Sequence, residues 1–133
     1  MTGILLDTNA LLLFALDPGQ ASEEHKRAFA EQKRYISQVC AIELAIKTSI
    51  GKLSLPPPFQ TDFTRAFAEM AARFSADILP IELNHIDRLS RLPLFHRDPF
   101  DRLIIAQALE EDLTVMTRDR AFAAYSGLSL VQI

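Results

Sequence analysis

The 133-residue chain has a single cysteine, no excess of basic residues, no apolar run near the length of a membrane span, and no repeat or low-complexity tract. Each absence removes a class of protein. With Cys40 alone, no internal disulfide can form. Its setting in Val39-Cys40-Ala41-Ile42 suits a small buried hydrophobe better than a nucleophile. Lys and Arg number 14 against 17 Asp and Glu, a formal net charge of −3. The chain is therefore not a generic coater of nucleic acid, which needs a strongly basic surface. A spanning helix needs about 20 consecutive apolar residues, and no stretch approaches that. The amino terminus reaches Asp7 without a basic leader segment, so no secretory signal is expected and a reducing cytoplasm is the expected location.

What is present is an ordinary globular balance, with 49% hydrophobic and 23% charged residues. The length predicts one domain over residues 1–133 with a substantial core. The run Gly3-Ile4-Leu5-Leu6 suits a buried strand, and Ala10 to Leu16 continues as an apolar helix. Asp17-Pro18-Gly19 is a turn. A helix opens at Ser22-Glu23-Glu24 and runs to about Gln32, followed by a short strand at Tyr35-Ile36-Ser37. Ser37 caps a helix from Gln38 to Ile50, which Gly51 ends. Leu53 to Pro58, with three consecutive prolines, is expected to be irregular. Thr61 to Phe74 reads as an amphipathic helix with Phe63, Phe67, Met70, Ala71 and Phe74 on one side. Asp77 to Leu83 fits a strand, with Pro80 marking an end or a sheet edge. Asn84 is expected to cap a helix to Leu92. Pro99 starts a strong helix to Asp112, Leu113 to Thr117 is a strand, Arg120 to Tyr125 a short helix, and Leu128 to Ile133 a last strand. This alternation predicts an α/β fold with a parallel sheet covered on both faces.

Four acids stand out against that frame: Asp7 after the first strand, Glu43 within an apolar helix, Asp101 at a helix start, and Asp119 after the strand ending at Thr117. In an open parallel sheet, ligands bind outside the carboxyl ends of the strands. Carboxylates gathered there repel one another unless a cation neutralises them, and hard divalent ions prefer oxygen ligands. Simpler explanations exist for single residues. Asp98 is an excellent helix cap before Pro99, a role favoured over metal ligation. Asp7 and Asp119 can each cap a helix. Glu43 can pair with Lys47 one turn on, but such a pair contributes only a few tenths of a kcal/mol, whereas an uncompensated carboxylate beside a core costs far more. One shared site accounts for all four together.

The segments Leu5-Leu6-Asp7-Thr8-Asn9-Ala10-Leu11, Ile42-Glu43-Leu44-Ala45-Ile46-Lys47 with Gly51-Lys52-Leu53, His96-Arg97-Asp98-Pro99-Phe100-Asp101-Arg102-Leu103-Ile104-Ile105-Ala106-Gln107-Ala108, and Val115-Met116-Thr117-Arg118-Asp119 with Phe122 resemble the PIN domain. More narrowly, the chain resembles VapC-type ribonuclease toxins of bacterial toxin–antitoxin pairs. The resemblance spans nearly the whole chain, in the family's order. It implies a three-layer α/β/α sandwich with a central parallel sheet, and Mg²⁺- or Mn²⁺-dependent endoribonuclease activity. By position, Asp7, Glu43, Asp101 and Asp119 match the acidic quartet that binds metal and carries catalysis, with Asp98 as an additional acid. Thr8, Asn9, Ser37 and Thr117 match polar positions near that site. The resemblance also implies an RNA substrate, a cognate antitoxin that blocks the site, and a homodimer. A mild departure is Cys40-Ala41, where related chains often carry a serine and an aromatic, which bears on packing or groove shape.

Asp7 is expected to be the central ligand, because the first strand of this fold lies mid-sheet. Glu43 and Asp101 would complete the ligand shell, with Asp119 on a second metal or holding water. Arg102 and Arg118 are candidate RNA contacts, with surface salt bridges as the alternative. His96 is expected to be a partly exposed loop histidine, and His25 and His85 suggest nothing catalytic. Most of Phe14, Leu16, Phe29, Phe59, Phe63 and Phe67 are expected in the core, with some left for a dimer face or an antitoxin groove. Two other functions compete. A catalytically silent PIN-like module would hold RNA or protein in the same cleft. A phosphatase of the haloacid-dehalogenase type would want a second Asp at position 9, which is Asn9.

Overall fold

The computed structural model describes residues 2–133. Five strands form one all-parallel sheet: β1 (Ile4–Leu6), β2 (Arg34–Ser37), β3 (Ala76–Leu79), β4 (Thr114–Thr117) and β5 (Ser129–Gln132), in the order β3-β2-β1-β4-β5. Seven α-helices connect them among the described residues: α1 (Thr8–Leu16), α2 (Glu23–Glu31), α3 (Gln38–Ser49), α4 (Pro58–Thr61), α5 (Phe63–Arg73), α6 (Leu83–Arg91) and α7 (Pro99–Glu111). The result is a three-layer α/β/α sandwich around a parallel sheet, as expected from the sequence. Every residue of β1 is buried, as a central strand covered on both faces requires. A fully buried Leu or Ile contributes about 1.5–3 kcal/mol, and β1 supplies three such side chains to one core with Ile36, Leu44, Ile104, Ile105, Val115 and Phe122.

The strand order puts the site where the chain must reverse direction. From β1 the connections step outward to β2 and β3, then return to β4 on the other side of β1. A crevice opens at such a switch point, at the carboxyl ends of β1 and β4. Asp7 follows β1 directly and Asp119 follows β4 by one residue.

Several boundaries differ from the sequence reading, each for a local reason. The third strand stops at Leu79 because Pro80 cannot continue the ladder, and it lies at the sheet edge. The next helix begins earlier than Asn84: Glu82 is its N-cap, and the Glu82 N–H donates to His85 Nδ1 at 3.0 Å. Asn84 instead donates from its side chain to Glu110. The proline run ends in a single helical turn with Pro58 at its first position, where no N–H is needed. Asp62 then caps α5 by accepting from the Arg65 N–H.

The phenylalanines leave little for a partner face. Phe14 and Phe67 are buried, while Phe29, Phe59 and Phe63 pack against the core. Only Leu16 of that group is exposed. The exposed apolar residues lie elsewhere, with Ile42, Ile46 and Ile50 spaced one turn apart along and just beyond α3, Leu83 at the start of α6, and Leu94 and Phe95 in the α6–α7 connection.

Candidate active site

Asp7 sits at the junction of β1 and α1 and is 1% exposed. Its Oδ1 accepts from the Ala10 N–H at 2.8 Å, capping α1. Its Oδ2 accepts from Thr117 Oγ1 at 2.5 Å, which ties the end of β1 to the end of β4. Burial pushes the Asp7 carboxyl above the usual aspartate range; these two hydrogen bonds oppose the rise, and the charges of Asp119 and Glu43 add to it. Capping and site-building are therefore one arrangement: the helix N-terminus fixes one oxygen and the neighbouring strand fixes the other.

Glu43 projects from α3 and is 5% exposed. Thr8 Oγ1 donates to its Oε1 at 2.6 Å, and Lys47 Nζ lies 2.7 Å from its Oε2. The Lys47 pair anticipated at one-turn spacing exists, and it is joined by a hydroxyl from α1. The Glu43 contact raises the Lys47 pKa. Burial reinforces this pair, since breaking a desolvated pair leaves one charge uncompensated.

Asp101 lies in the first turn of α7. Burial lifts its carboxyl to about 7, assisted by the charges of Asp98, Asp7 and Glu43 and opposed by His96. Asp98 caps α7 as expected, its Oδ1 accepting from the Phe100 and Asp101 N–H groups. Asp119 is the most open of the quartet, its side chain 34% exposed. Burial alone would raise it, but hydrogen bonds from His96 and the Ala121 N–H leave its carboxyl below the usual range. The quartet thus comes from four different segments, and Asp7 and Asp101 each feel the charges of neighbouring acids.

His96 corrects the sequence reading. It is a partly buried loop residue, as expected, but not a bystander: its side chain is 12% exposed, with Nε2 2.6 Å from Asp119 Oδ2 and 3.3 Å from Asp101 Oδ2. The strap that carries it is held by Tyr125, whose hydroxyl accepts from the Phe95 and His96 N–H groups and donates to the Pro93 carbonyl. Phe122 meets the His96 ring edge-on at 5.6 Å. Only the proximity of His96 to Asp98 and Asp101 in the sequence hinted at this; Tyr125, about thirty residues away, gave no signal.

Not every residue singled out in the sequence reaches the acids. Thr8 and Thr117 bond Glu43 and Asp7 directly. Ser37 instead donates to Gln107 Oε1 at 2.5 Å and accepts from the Val39 N–H, joining β2 to α7. Asn9 is exposed. Arg102 directs Nη2 to the Leu92 carbonyl at 2.9 Å, so its guanidinium ties α7 to the end of α6. Arg118 is exposed. Cys40 is inert: burial drives its thiol up to about 12, and Sγ faces the Leu6 carbonyl. A groove of about 520 Å³ beside the His96 strap, lined by Arg88, Leu92, Phe95 and Tyr125 among others, includes none of the four acids.

The donor set suits a hard divalent cation. Oxygen donors dominate, carboxylates can each accept at several lone-pair positions, and the raised Asp7 and Asp101 carboxyls mark anionic charge that lacks full compensation. No described helix is long and apolar enough to cross a membrane.

Comparison with known proteins agrees with this architecture. The chain is similar in structure to VapBC2 from Rickettsia felis bound to a DNA fragment from its promoter, with 17% identity, a TM-score of 0.71, and coverage of 100% of this chain and 99% of that one. It is similar to FitAcB from Neisseria gonorrhoeae, with 22% identity, a TM-score of 0.68, and coverage of 97% and 96%. A third similar structure is VapBC-5 from Mycobacterium tuberculosis, a member of the VapBC family of toxin–antitoxin systems, with 18% identity, a TM-score of 0.60, and coverage of 99% and 98%. No curated protein matches the sequence significantly. The family model of the PIN domain matches residues 4–128, from the first residue of β1 to the threshold of β5. With that match running through all four acidic segments, the chain belongs to the PIN domain family.

Proposed function

We propose that this chain, as a single domain over residues 1–133, is a divalent-metal-dependent endoribonuclease of the VapC type, the toxin of a toxin–antitoxin pair. The observation that carries this reading is that Asp7, Glu43, Asp101 and Asp119 lie around the sheet's switch point near enough to feel one another's charge, with burial first and those charges after it raising Asp7 and Asp101. Such a cluster is costly unless a cation joins it.

Asp7, Glu43, Asp101 and Asp119 would hold Mg²⁺ or Mn²⁺. When bound, the ion supplies Lewis acidity to a phosphodiester and makes a nearby water more acidic. The chain's own residues do the rest. Thr117 and the Ala10 N–H hold Asp7 in one orientation, so its oxygens need no reorganisation. Thr8 and Lys47 do the same for Glu43. Without the cation, burial holds the Asp101 carboxyl at about 7, so Asp101 would give up its proton on joining the ligand set. Asp98 acts on the site through charge and through its cap of α7. Arg118, exposed beside Asp119, is the better placed of the two arginines to meet RNA phosphate, since Arg102 is engaged with Leu92.

VapBC-5 belongs to a family of toxin–antitoxin systems, which supports an antitoxin partner here; a homodimeric toxin working in the cytoplasm is part of the same proposal. The exposed Ile42, Ile46 and Ile50 row on the helix that carries Glu43 is suited to an antitoxin segment that covers the site.

Asp7→Asn removes the charge and keeps one acceptor for the Ala10 N–H, while its amide NH₂ would donate to Thr117 Oγ1 instead of accepting from it. It is expected to abolish RNA cleavage in the presence of Mg²⁺ or Mn²⁺ while preserving the circular dichroism spectrum. Cleavage at the wild-type rate by the folded variant would refute the nuclease assignment. RNA that is bound but left intact by the wild-type protein would favour the silent binding module.

A further inference from the structure

His96, Asp101 and Asp119 present one ligating atom each within 4.8 Å of one another. By composition this is a His-Asp-Asp metal triad. The hydrogen bonds around the imidazole point to another role. Nδ1 of His96 accepts from the Asp98 N–H at 3.1 Å. That N–H is fixed in place, because Asp98 is the N-cap of α7 and its own Oδ1 accepts from the next turn. A ring nitrogen that accepts keeps its lone pair, and a proton on Nδ1 would face the Asp98 hydrogen head-on. The imidazole hydrogen therefore sits on Nε2. Nε2 is the atom that faces Asp119 Oδ2 at 2.6 Å and Asp101 Oδ2 at 3.3 Å. A nitrogen that carries hydrogen has no lone pair to offer a cation.

The ring cannot easily turn to change this. The His96 N–H donates to Tyr125 Oη at 3.0 Å, and Phe122 packs edge-on against the imidazole. The fold uses the same device a second time, away from the site. There the Glu82 N–H donates to His85 Nδ1 at 3.0 Å, and His85 Nε2 holds Glu111 Oε1 at 3.0 Å. In both places a backbone N–H at a helix start sets the tautomer, and the far nitrogen secures a carboxylate from another element.

We propose that His96 is a positioning residue: its Nε2–H bonds one oxygen of Asp119 and holds it beside one oxygen of Asp101, so that two acids from distant segments are prearranged for a divalent cation that His96 itself does not ligate. This rests on the reading that the acids bind such a cation. It extends that reading by giving the family's acidic site, in this chain, a hydrogen-bond donor at its centre. Without that donor the Asp101 and Asp119 carboxylates would swing apart, and cation binding would have to bring them together. Losing a group that orients metal ligands typically weakens affinity by about 10–100-fold.

The test uses the full chain labelled with ¹⁵N, with its histidine side chains observed by long-range ¹H–¹⁵N correlation during a Mg²⁺ titration. The expected result is a protonated Nε2 and an unprotonated Nδ1 for His96, both retained at saturation. A His96 Nε2 that loses its hydrogen as Mg²⁺ binds would overturn the assignment and make His96 a ligand. Calorimetric Mg²⁺ titration of variants gives a second readout. His96→Leu is expected to bind at least about tenfold more weakly, and His96→Gln, whose amide N–H reaches a similar place, to recover most of that loss. Equal affinity in the wild type and His96→Leu would also overturn it. Should His96→Leu fail to fold, the tautomer measured on the wild type decides. Asp7→Asn serves as the reference: if it binds Mg²⁺ as tightly as the wild type, the cation reading fails, whatever His96 does.

Discussion

At the scale of single residues, the acids of this site differ sharply in how they are kept. Asp7 is held through both oxygens, Glu43 by Thr8 and Lys47, and Asp119 by His96 and a backbone N–H. Asp101 has His96 at 3.3 Å and the more distant charge of Lys47 on its side, while burial and three neighbouring acids lift its carboxyl to about 7. The sign of the consequence follows from linkage. A carboxyl raised in the folded state binds its proton more tightly there than in the unfolded chain, so stability falls as pH rises from the ordinary aspartate range through about 7. Asp101→Asn removes the charge and should stabilise the cation-free protein by about 1–2 kcal/mol near pH 8, a modest value because the cleft is partly open to screening solvent. The gain should shrink as pH is lowered towards 4. Thermal unfolding of both proteins in chelator at several pH values measures it, and a stability difference independent of pH would contradict the assignment of Asp101 as the strained acid. The acids themselves were legible in the sequence, since an acid flanked by apolar residues, such as Glu43, needs a reason to be there. His96 was not, because nothing in a loop histidine's neighbours tells which way its ring will face.

At the scale of elements, the sheet depends on one close approach that a sequence hardly advertises. Gly3 precedes β1 with φ of +154°, its carbonyl accepting from the Thr114 N–H. A Cβ there would stand 2.8 Å from the Lys33 carbonyl oxygen and 2.9 Å from the Tyr35 ring. Gly3→Ala should therefore cost about 1–3 kcal/mol through overpacking between β1 and β2, read as a lower denaturant midpoint with an unchanged slope. A neutral result would mean that the backbone yields there without consequence. Gly3 had read only as the start of an apolar run, because close packing against Lys33 is a long-range fact. The local signals were more readable. Ser37, Asp98 and Pro99 cap and start their helices as their side-chain chemistry dictates. Asn84 misled, since it is a good cap by type, yet Glu82 is anchored by His85 one turn on and takes the position. The alternation of strands and helices signalled a parallel sheet, but only the central place of the first strand was anticipated, and that from family likeness. Strand order is set by crossovers between distant segments, which local sequence does not encode.

At the scale of the whole molecule, fold and site make opposite demands, and the topology reconciles them. The core wants β1 buried on both faces, and the order β3-β2-β1-β4-β5 achieves this. The same order delivers carboxylates from β1, α3, α7 and the end of β4 to one edge, where they repel. The hydrogen bonds from Thr117, Thr8 and His96 offset part of that repulsion. A cation that binds only the folded state then adds stability by mass action, about 2.7 kcal/mol at one hundred times its dissociation constant. For a chain of this length that corresponds to a rise in Tm on the order of 10 °C. Mg²⁺ or Mn²⁺ should therefore raise the Tm of the wild type, and a chelator should return it to the cation-free value without unfolding the protein at room temperature. The rise should be larger near pH 8 than near pH 5.5, because Asp101 with its carboxyl at about 7 must release a proton before it can serve as a ligand. In Asp7→Asn the rise should largely vanish at both pH values. A Tm that responds to the metal equally in the wild type and in Asp7→Asn would place the bound ion outside the switch-point crevice. The acids would then have to be explained as helix caps that happen to share an edge.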